Sequence, residues 1–256
     1  MTAYHTPDMK VLLNKTRVNW MQETLCITSF GPDGYELYGK QFLQTYIKNV
    51  TLPLVVYIEG PENTPNFEHP LITYRDLLSV NGVAQALSIT NFPAARGQVW
   101  GKKESNYRFN VNKFCRKSFA QIDAAGSHGQ QGGKSLYWLD ADIVFTERFE
   151  PPALEQFFML YLGRPEWHSC TSFIGWNLGY AGAARFFEEY WKLYITGTIF
   201  CLPEWHDCAA LDFLRQETKV AAKNLAEGMP LKGPANVFDE VFKTAHHKKG
   251  NLKFID

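Results

Sequence analysis

The chain has no excess of either charge. Lys and Arg number 26, and Asp and Glu also number 26. No global field therefore selects nucleic acid or a membrane surface as partner, and any such contact must come from a local patch. Cysteine is scarce: Cys26, Cys115, Cys170, Cys201 and Cys208 stand at irregular spacing. An odd number without a repeating pattern builds no disulfide framework, which points to a reducing cytoplasm. No apolar run reaches the roughly 18 residues that a membrane span needs, so no span is expected. The opening Met1–Lys10 is polar and carries no secretory signal. No internal repeat or low-complexity tract is visible. With 45% hydrophobic residues and 15% aromatics over 256 positions, the chain is expected to bury a full core as a single domain.

Against that background one stretch stands out. Leu136-Tyr137-Trp138-Leu139-Asp140-Ala141-Asp142-Ile143-Val144-Phe145 sets two carboxylates inside an apolar run. A strand this apolar needs both faces covered, as in the central sheet of an α/β protein. Side chains alternate along a strand, so Asp140 and Asp142 are expected to point the same way, about 7 Å apart along the chain. Paired carboxylates repel unless a cation joins them. A divalent metal, Mn²⁺ or Mg²⁺, holding a polyanion is the reading with the simplest chemistry; a solvated strand end with two surface aspartates is the plain alternative.

From the beginning, Glu23–Phe30 reads as a strand, Gly31-Pro32-Asp33-Gly34 as a turn, Leu37–Asn49 as an amphipathic helix, and Leu52–Ile58 as a second strand. This β-turn-α-β opening predicts a mostly parallel sheet flanked by helices, with ligands at the carboxyl ends of its strands. Ser29 and Phe30 after the first strand and Glu59 after the second are thus candidate ligand contacts. Tyr74–Leu87 reads as a helix. Lys102, Lys103, Arg108, Lys113, Arg116 and Lys117 form a basic stretch in which the last three share a helix face, either as a solvated surface or as a phosphate-contacting edge. Ser127–Ser135 contains Gly-Gly-Lys-Ser but enters a strand rather than opening a helix, so it is a connection and not a phosphate loop. Pro151-Pro152 opens an expected helix to Leu162, Ala183–Tyr194 forms another, and Cys208–Gln216 a third. Pro203-Glu204-Trp205-His206-Asp207 gathers ionisable groups just before that last helix.

Near the end, His247-x-x-Gly250-x-x-Lys253 offers an imidazole for a metal, a glycine where backbone can approach phosphate, and a cation. The order of these motifs, Asp140-Ala141-Asp142, then Asn177-x-Gly179, then an acidic loop, then His247-x-x-Gly250-x-x-Lys253, resembles glycosyltransferase family 8. That resemblance implies a GT-A fold, a Rossmann-like nucleotide-diphospho-sugar transferase, with about 20–145 as nucleotide-binding half and 146–256 as acceptor half. It implies that Asp140, Asp142 and His247 bind Mn²⁺, that Asp140 also reaches the donor, and that Gly250 and Lys253 hold the diphosphate. Asn177 would lie near the donor sugar or acceptor, and Arg108 of Tyr107-Arg108 would bind the donor, with Lys113 and Lys117 as further donor contacts. His206-Asp207 would take the place of the family's acidic loop beside the reacting sugar; if the enzyme inverts, a carboxylate must act as base toward the acceptor hydroxyl, with Asp207 or Glu204 as the candidate. Phe254 and Ile255 replace the family's Pro-Trp, and His206-Asp207 its Asp-Gln pair. The expected donor is a UDP-sugar. The acceptor is a glycan or, if the chain is phage-encoded and works in the host cytoplasm, a hydroxymethylated pyrimidine in DNA that must leave the stack.

Three other readings compete. Asp140-Ala141-Asp142-Ile143-Val144 also resembles the nucleophile motif of haloacid-dehalogenase-like phosphohydrolases, although that motif opens its domain. His168, Cys170, Cys201, His206 and Cys208 are residue types suited to zinc. The basic 102–117 stretch with Tyr107, Phe109 and Phe114 suits a non-catalytic nucleic-acid-binding protein.

Overall fold

Strand residues alternate between two apolar layers, and this alternation organises the molecule. The computed structural model describes residues 23–99, 105–231 and 236–248. In it β1 (Thr24–Phe30), β2 (Leu54–Ile58), β3 (Ile72–Asp76), β4 (Ser135–Leu139), β6 (Met159–Arg164), β7 (Trp167–Asn177) and β8 (Ala222–Asn224) form one seven-stranded sheet. The order is β3-β2-β1-β4-β7-β6-β8. β7 runs antiparallel to both neighbours, and the other pairings are parallel. A short second sheet pairs β5 (Ile143–Phe145) with β9 (Ala245–His247).

Leu25, Ile27, Val55, Tyr57 and Trp138 face one layer, built on α2 (Val83–Ile89), α3 (Val111–Gln130), α4 (Ala183–Ile195) and α5 (Asp207–Thr218). Their sequence neighbours Cys26, Val56, Tyr137 and Leu139 face the other. That layer contains α1 (Lys40–Asn49), the small sheet and α6 (Val237–Val241). Covering both faces is what near-continuous apolar strands require. The chain is thus an α/β protein with a mostly parallel central sheet flanked by helices. Among the described residues no helix is long and apolar enough to cross a membrane.

Several expectations need correction. The segment read as a helix over Tyr74–Leu87 begins as β3, whose residues pair in parallel with β2. Asp76 then accepts from the Leu78 amide and turns the chain, and the helix starts only at Val83. The helix expected from Pro151 to Leu162 is absent; Met159–Arg164 is β6, hydrogen-bonded to β7 and β8. A short apolar run carries no period that separates strand from helix, and pairing decided it. At Ser127–Ser135 the helix α3 persists to Gln130, so only residues 131–134 connect it to β4.

The Asp pair also leaves the sheet. β4 ends at Leu139, and Asp140–Asp142 turn the chain out toward β5. The two carboxylates therefore approach more closely than the extended-strand spacing implies.

Candidate functional site

The carboxyl ends of β1, β2 and β4 form one edge, and Lys117, Asp140, Asp142 and Asp207 gather above it beside β7. Asp140 follows β4 directly, its amide donating to the Ser172 carbonyl of β7 at 2.9 Å. Asp142 precedes β5, whose register sets Ile143 opposite His247. His247 Nε2 consequently lies 2.9 Å from Asp142 Oδ1 and 3.7 Å from Asp140 Oδ2. α6 and the residue before it fix the strand that carries this imidazole: Asp239 accepts the His247 amide at 2.8 Å, and Asn236 donates to its carbonyl at 2.9 Å. One ligand atom from each of Asp140, Asp142 and His247 lies within 4.8 Å of the others.

This donor set fits a divalent cation. Two carboxylate oxygens and one imidazole nitrogen suit Mn²⁺, and Mg²⁺ less well because of the nitrogen. Burial disfavours charge on His247, but the hydrogen bond to Asp142, the contact with Cys170 and the charges of Asp142 and Asp140 outweigh it and raise its pKa to about 9. A proton thus sits where a cation would bind.

Lys117 is the centre of the neighbouring network. Its Nζ lies 2.7 Å from Asp140 Oδ1 and 2.9 Å from Asp207 Oδ2. It also donates to the Thr171 carbonyl at 2.7 Å and stands 5.1 Å above the Trp138 ring. Asp140 Oδ1 accepts from Trp138 Nε1 as well, at 2.7 Å. Lys117 thus lies not on an open helix face but largely buried, joining two carboxylates in the wall of a cleft. Its neighbours differ, since Arg116 pairs with Glu59 at 2.9 Å and Lys113 is exposed.

Asp207, buried, accepts from Thr171 Oγ1 at 2.5 Å. Burial raises its pKa, but Lys117 and the Thr171 hydrogen bond more than reverse this and hold it below the ordinary aspartate value. Burial likewise opposes charge on Lys117, yet Asp140 and Asp207 raise its pKa. The depressed aspartate contributes stability above its unfolded pKa and loses it as pH falls through the folded one. The raised lysine contributes below its unfolded pKa and loses it only as pH rises through the folded one. Urea unfolding across pH should therefore show this pair's contribution intact at neutrality and lost below about pH 4, the ordinary aspartate range. In Asp207→Asn the acid-side slope should be shallower; an unchanged slope would contradict the assignment.

Glu204 and His206 form a second network. His206 caps α5, its Nδ1 accepting the Cys208 amide at 3.2 Å. The ring proton is therefore assigned to Nε2, which donates to Glu204 Oε2 at 2.7 Å. Arg108 pairs with Glu204 Oε1 at 3.1 Å.

Two clefts open over this edge. One, of about 740 Å³, is lined by Ser29, Phe30, Glu59, Lys113, Arg116 and Lys117 among others. The other, of about 1340 Å³, is lined by Arg108, Trp167, His168, Glu204, His206 and His247 among others. Phe114, Asp140, Asp142 and Asp207 belong to both. Arg108, expected with the donor residues, lies in the larger cleft, apart from Ser29, Phe30 and Glu59.

Asn177 does not join them. It pairs with Ser135 at the start of β4, whereas Phe173 pairs with Leu139 at its end. Because β7 is antiparallel, its last residue lies at the opposite edge of the sheet from Asp140. Its Oδ1 accepts the Gly179 amide at 3.0 Å and shapes a turn. Gly250 and Lys253 lie outside the described residues, as do Lys102 and Lys103. The zinc set does not converge among the described residues: the groupings there are His168 with Glu204 and His206, and His206 with Asp207 and Cys208. Cys201 is exposed, and Cys170 contacts Ser172 Oγ at 3.1 Å.

Sequence reasoning missed Thr171 and Asp212, and met His168 only as a zinc candidate. All three act through β7–α5 contacts, a pairing that no local spacing encodes. No protein-family model matches the chain and no curated protein matches it, so the functional reading rests on this geometry.

Proposed function

We propose that this chain is a metal-dependent glycosyltransferase of GT-A type that moves a sugar from a nucleoside-diphosphate donor, expected to be a UDP-sugar, to an acceptor hydroxyl. The observation that carries the reading is the convergence of Asp140, Asp142 and His247 where the two clefts meet. A two-substrate transfer needs two binding spaces with the cation at their junction.

The smaller cleft is the donor side. It follows the carboxyl ends of β1 and β2, where parallel α/β sheets bind nucleotides, and the exposed Lys113 supplies positive charge along it, Arg116 being paired with Glu59. The larger cleft is the acceptor side. Asp140, Asp142 and His247 would hold Mn²⁺ or Mg²⁺, which supplies charge neutralisation for the departing diphosphate. Lys117 orients Asp140 through their ion pair. Trp138 holds the same oxygen from the strand, leaving Oδ2 directed toward His247.

Calorimetric titration with UDP, with and without Mn²⁺, tests this. Affinity should rise about tenfold or more when Mn²⁺ is present, about 1.4 kcal/mol or more of coupling. If neither UDP nor another nucleoside diphosphate binds in a metal-dependent way, the proposal fails.

A further inference from the structure

We infer that His168, oriented by Asp212, is the catalytic base that deprotonates the acceptor hydroxyl; the inference rests on the transferase reading above. The ionisable groups already described in the larger cleft differ in what they have left to offer. Asp207 is buried and already accepts from Lys117 and Thr171. His206 is 5% exposed and uses both ring nitrogens, one as the cap of α5 and one as donor to Glu204. His247 is 8% exposed and engaged with Asp142. Glu204 already accepts from both Arg108 and His206.

His168 differs from the other two histidines. Its side chain is 38% exposed in the wall of the larger cleft. Nδ1 lies 3.2 Å from Asp212 Oδ2. Asp212 is buried and is itself fixed: Oδ2 accepts the Ser169 amide at 2.9 Å, and Oδ1 accepts Ser169 Oγ at 2.6 Å and Arg215 Nη2 at 3.4 Å. A carboxylate oxygen accepts, so the ring proton is assigned to Nδ1, and Nε2, 3.9 Å from Glu204 Oε2 in the cleft wall, is left as the acceptor. Arg164 Nε donates to the His168 carbonyl at 2.7 Å and steadies the backbone. A buried carboxylate holding one tautomer and orientation of a histidine is the arrangement that general-base catalysis requires.

The step balances. The acceptor O–H proton passes to His168 Nε2 as the oxygen bonds to the anomeric carbon. The bond from that carbon to the diphosphate oxygen breaks, and its electron pair leaves on the nucleoside diphosphate. The resulting imidazolium lies between Asp212 and Glu204, whose Oε2 is 3.9 Å from Nε2. Asp212 acts through His168 and is a positioning residue.

The test compares wild type with His168→Gln in two assays. One is Mn²⁺-dependent UDP binding by calorimetry; the other is UDP release from UDP-glucose, UDP-galactose and UDP-N-acetylglucosamine with Mn²⁺. His168→Gln should bind Mn²⁺ and UDP as wild type does but release UDP about 10²–10⁴-fold more slowly. Intact binding with undiminished release would overturn the base assignment alone. Loss of metal-dependent nucleotide binding in the wild type would overturn the transferase reading and this inference together. Nitrogen-15 NMR of the ring decides the point without turnover. In the neutral ring the proton is expected on Nδ1, and Asp212→Asn should erode that preference. A proton resident on Nε2 in the wild type would overturn the assignment.

Discussion

Replacing Lys117 with Met should destabilise the protein by about 3–5 kcal/mol, because it leaves buried carboxylate charge without its partner. Only 11% of the Lys117 side chain and 6% of that of Asp207 are exposed, so water cannot take over the role of the lost ammonium. For a chain of this size the loss corresponds to a fall of about 10 °C in Tm. Asp140 is less affected than Asp207. It is more exposed, keeps the Trp138 hydrogen bond and lies near His247. Adding Asp207→Asn to Lys117→Met should recover part of the loss, since an amide costs less to bury than an unpaired carboxylate. Thermal and urea unfolding of the two variants check this. A Lys117→Met protein within about 1 kcal/mol of wild type would mean that the pair is no more than a surface ion pair.

The second large effect is expected at the metal triad. Asp142→Asn should abolish Mn²⁺-linked nucleotide binding while leaving the far-UV circular dichroism unchanged. Outer-shell partners of metal sites are worth about 10–100-fold in affinity, so loss of a direct ligand should exceed about 100-fold. The variant should still fold, because an asparagine oxygen can continue to accept from His247.

The same geometry makes metal binding pH-dependent. In the metal-free protein His247 holds its proton up to about pH 9 through its interactions with Asp142, Cys170 and Asp140, despite burial. A cation must displace that proton, so Mn²⁺ affinity should rise about tenfold per pH unit from neutrality toward that value. Electron paramagnetic resonance of free Mn²⁺ measures the slope. A flat dependence, or Mn²⁺ affinity undiminished in Asp142→Asn, would remove His247 and Asp142 from the site.

Much of the scaffold was legible in local pattern. The strands at β1, β2 and β4 and the helices at α1, α4 and α5 follow from apolar runs and helical spacing bounded by turn residues. The two misread segments, 74–87 and 151–162, fail for a common reason. Ile72–Asp76 and Met159–Arg164 are short, and their strand character comes from hydrogen-bonding partners distant in sequence. Asn177 was misjudged because the direction of β7 is a property of the assembled sheet. Reversing that strand moves its end to the opposite edge from the metal triad.

The candidate cation ligands Asp140, Asp142 and His247 could be named from the chain alone, because a carboxylate pair inside an apolar run and an imidazole three positions before a glycine are residue types that suit a cation holding a polyanion. The roles of the remaining charges could not. Asp207 and Lys117 are 90 positions apart, and only packing α3 against α5 and β7 brings them within 2.9 Å. Electrostatic interaction depends on separation in space and on exclusion of water. Local sequence therefore sufficed for the kinds of groups the site contains, whereas the tertiary fold decided which of them are neutralised in the interior and which remain open toward the clefts.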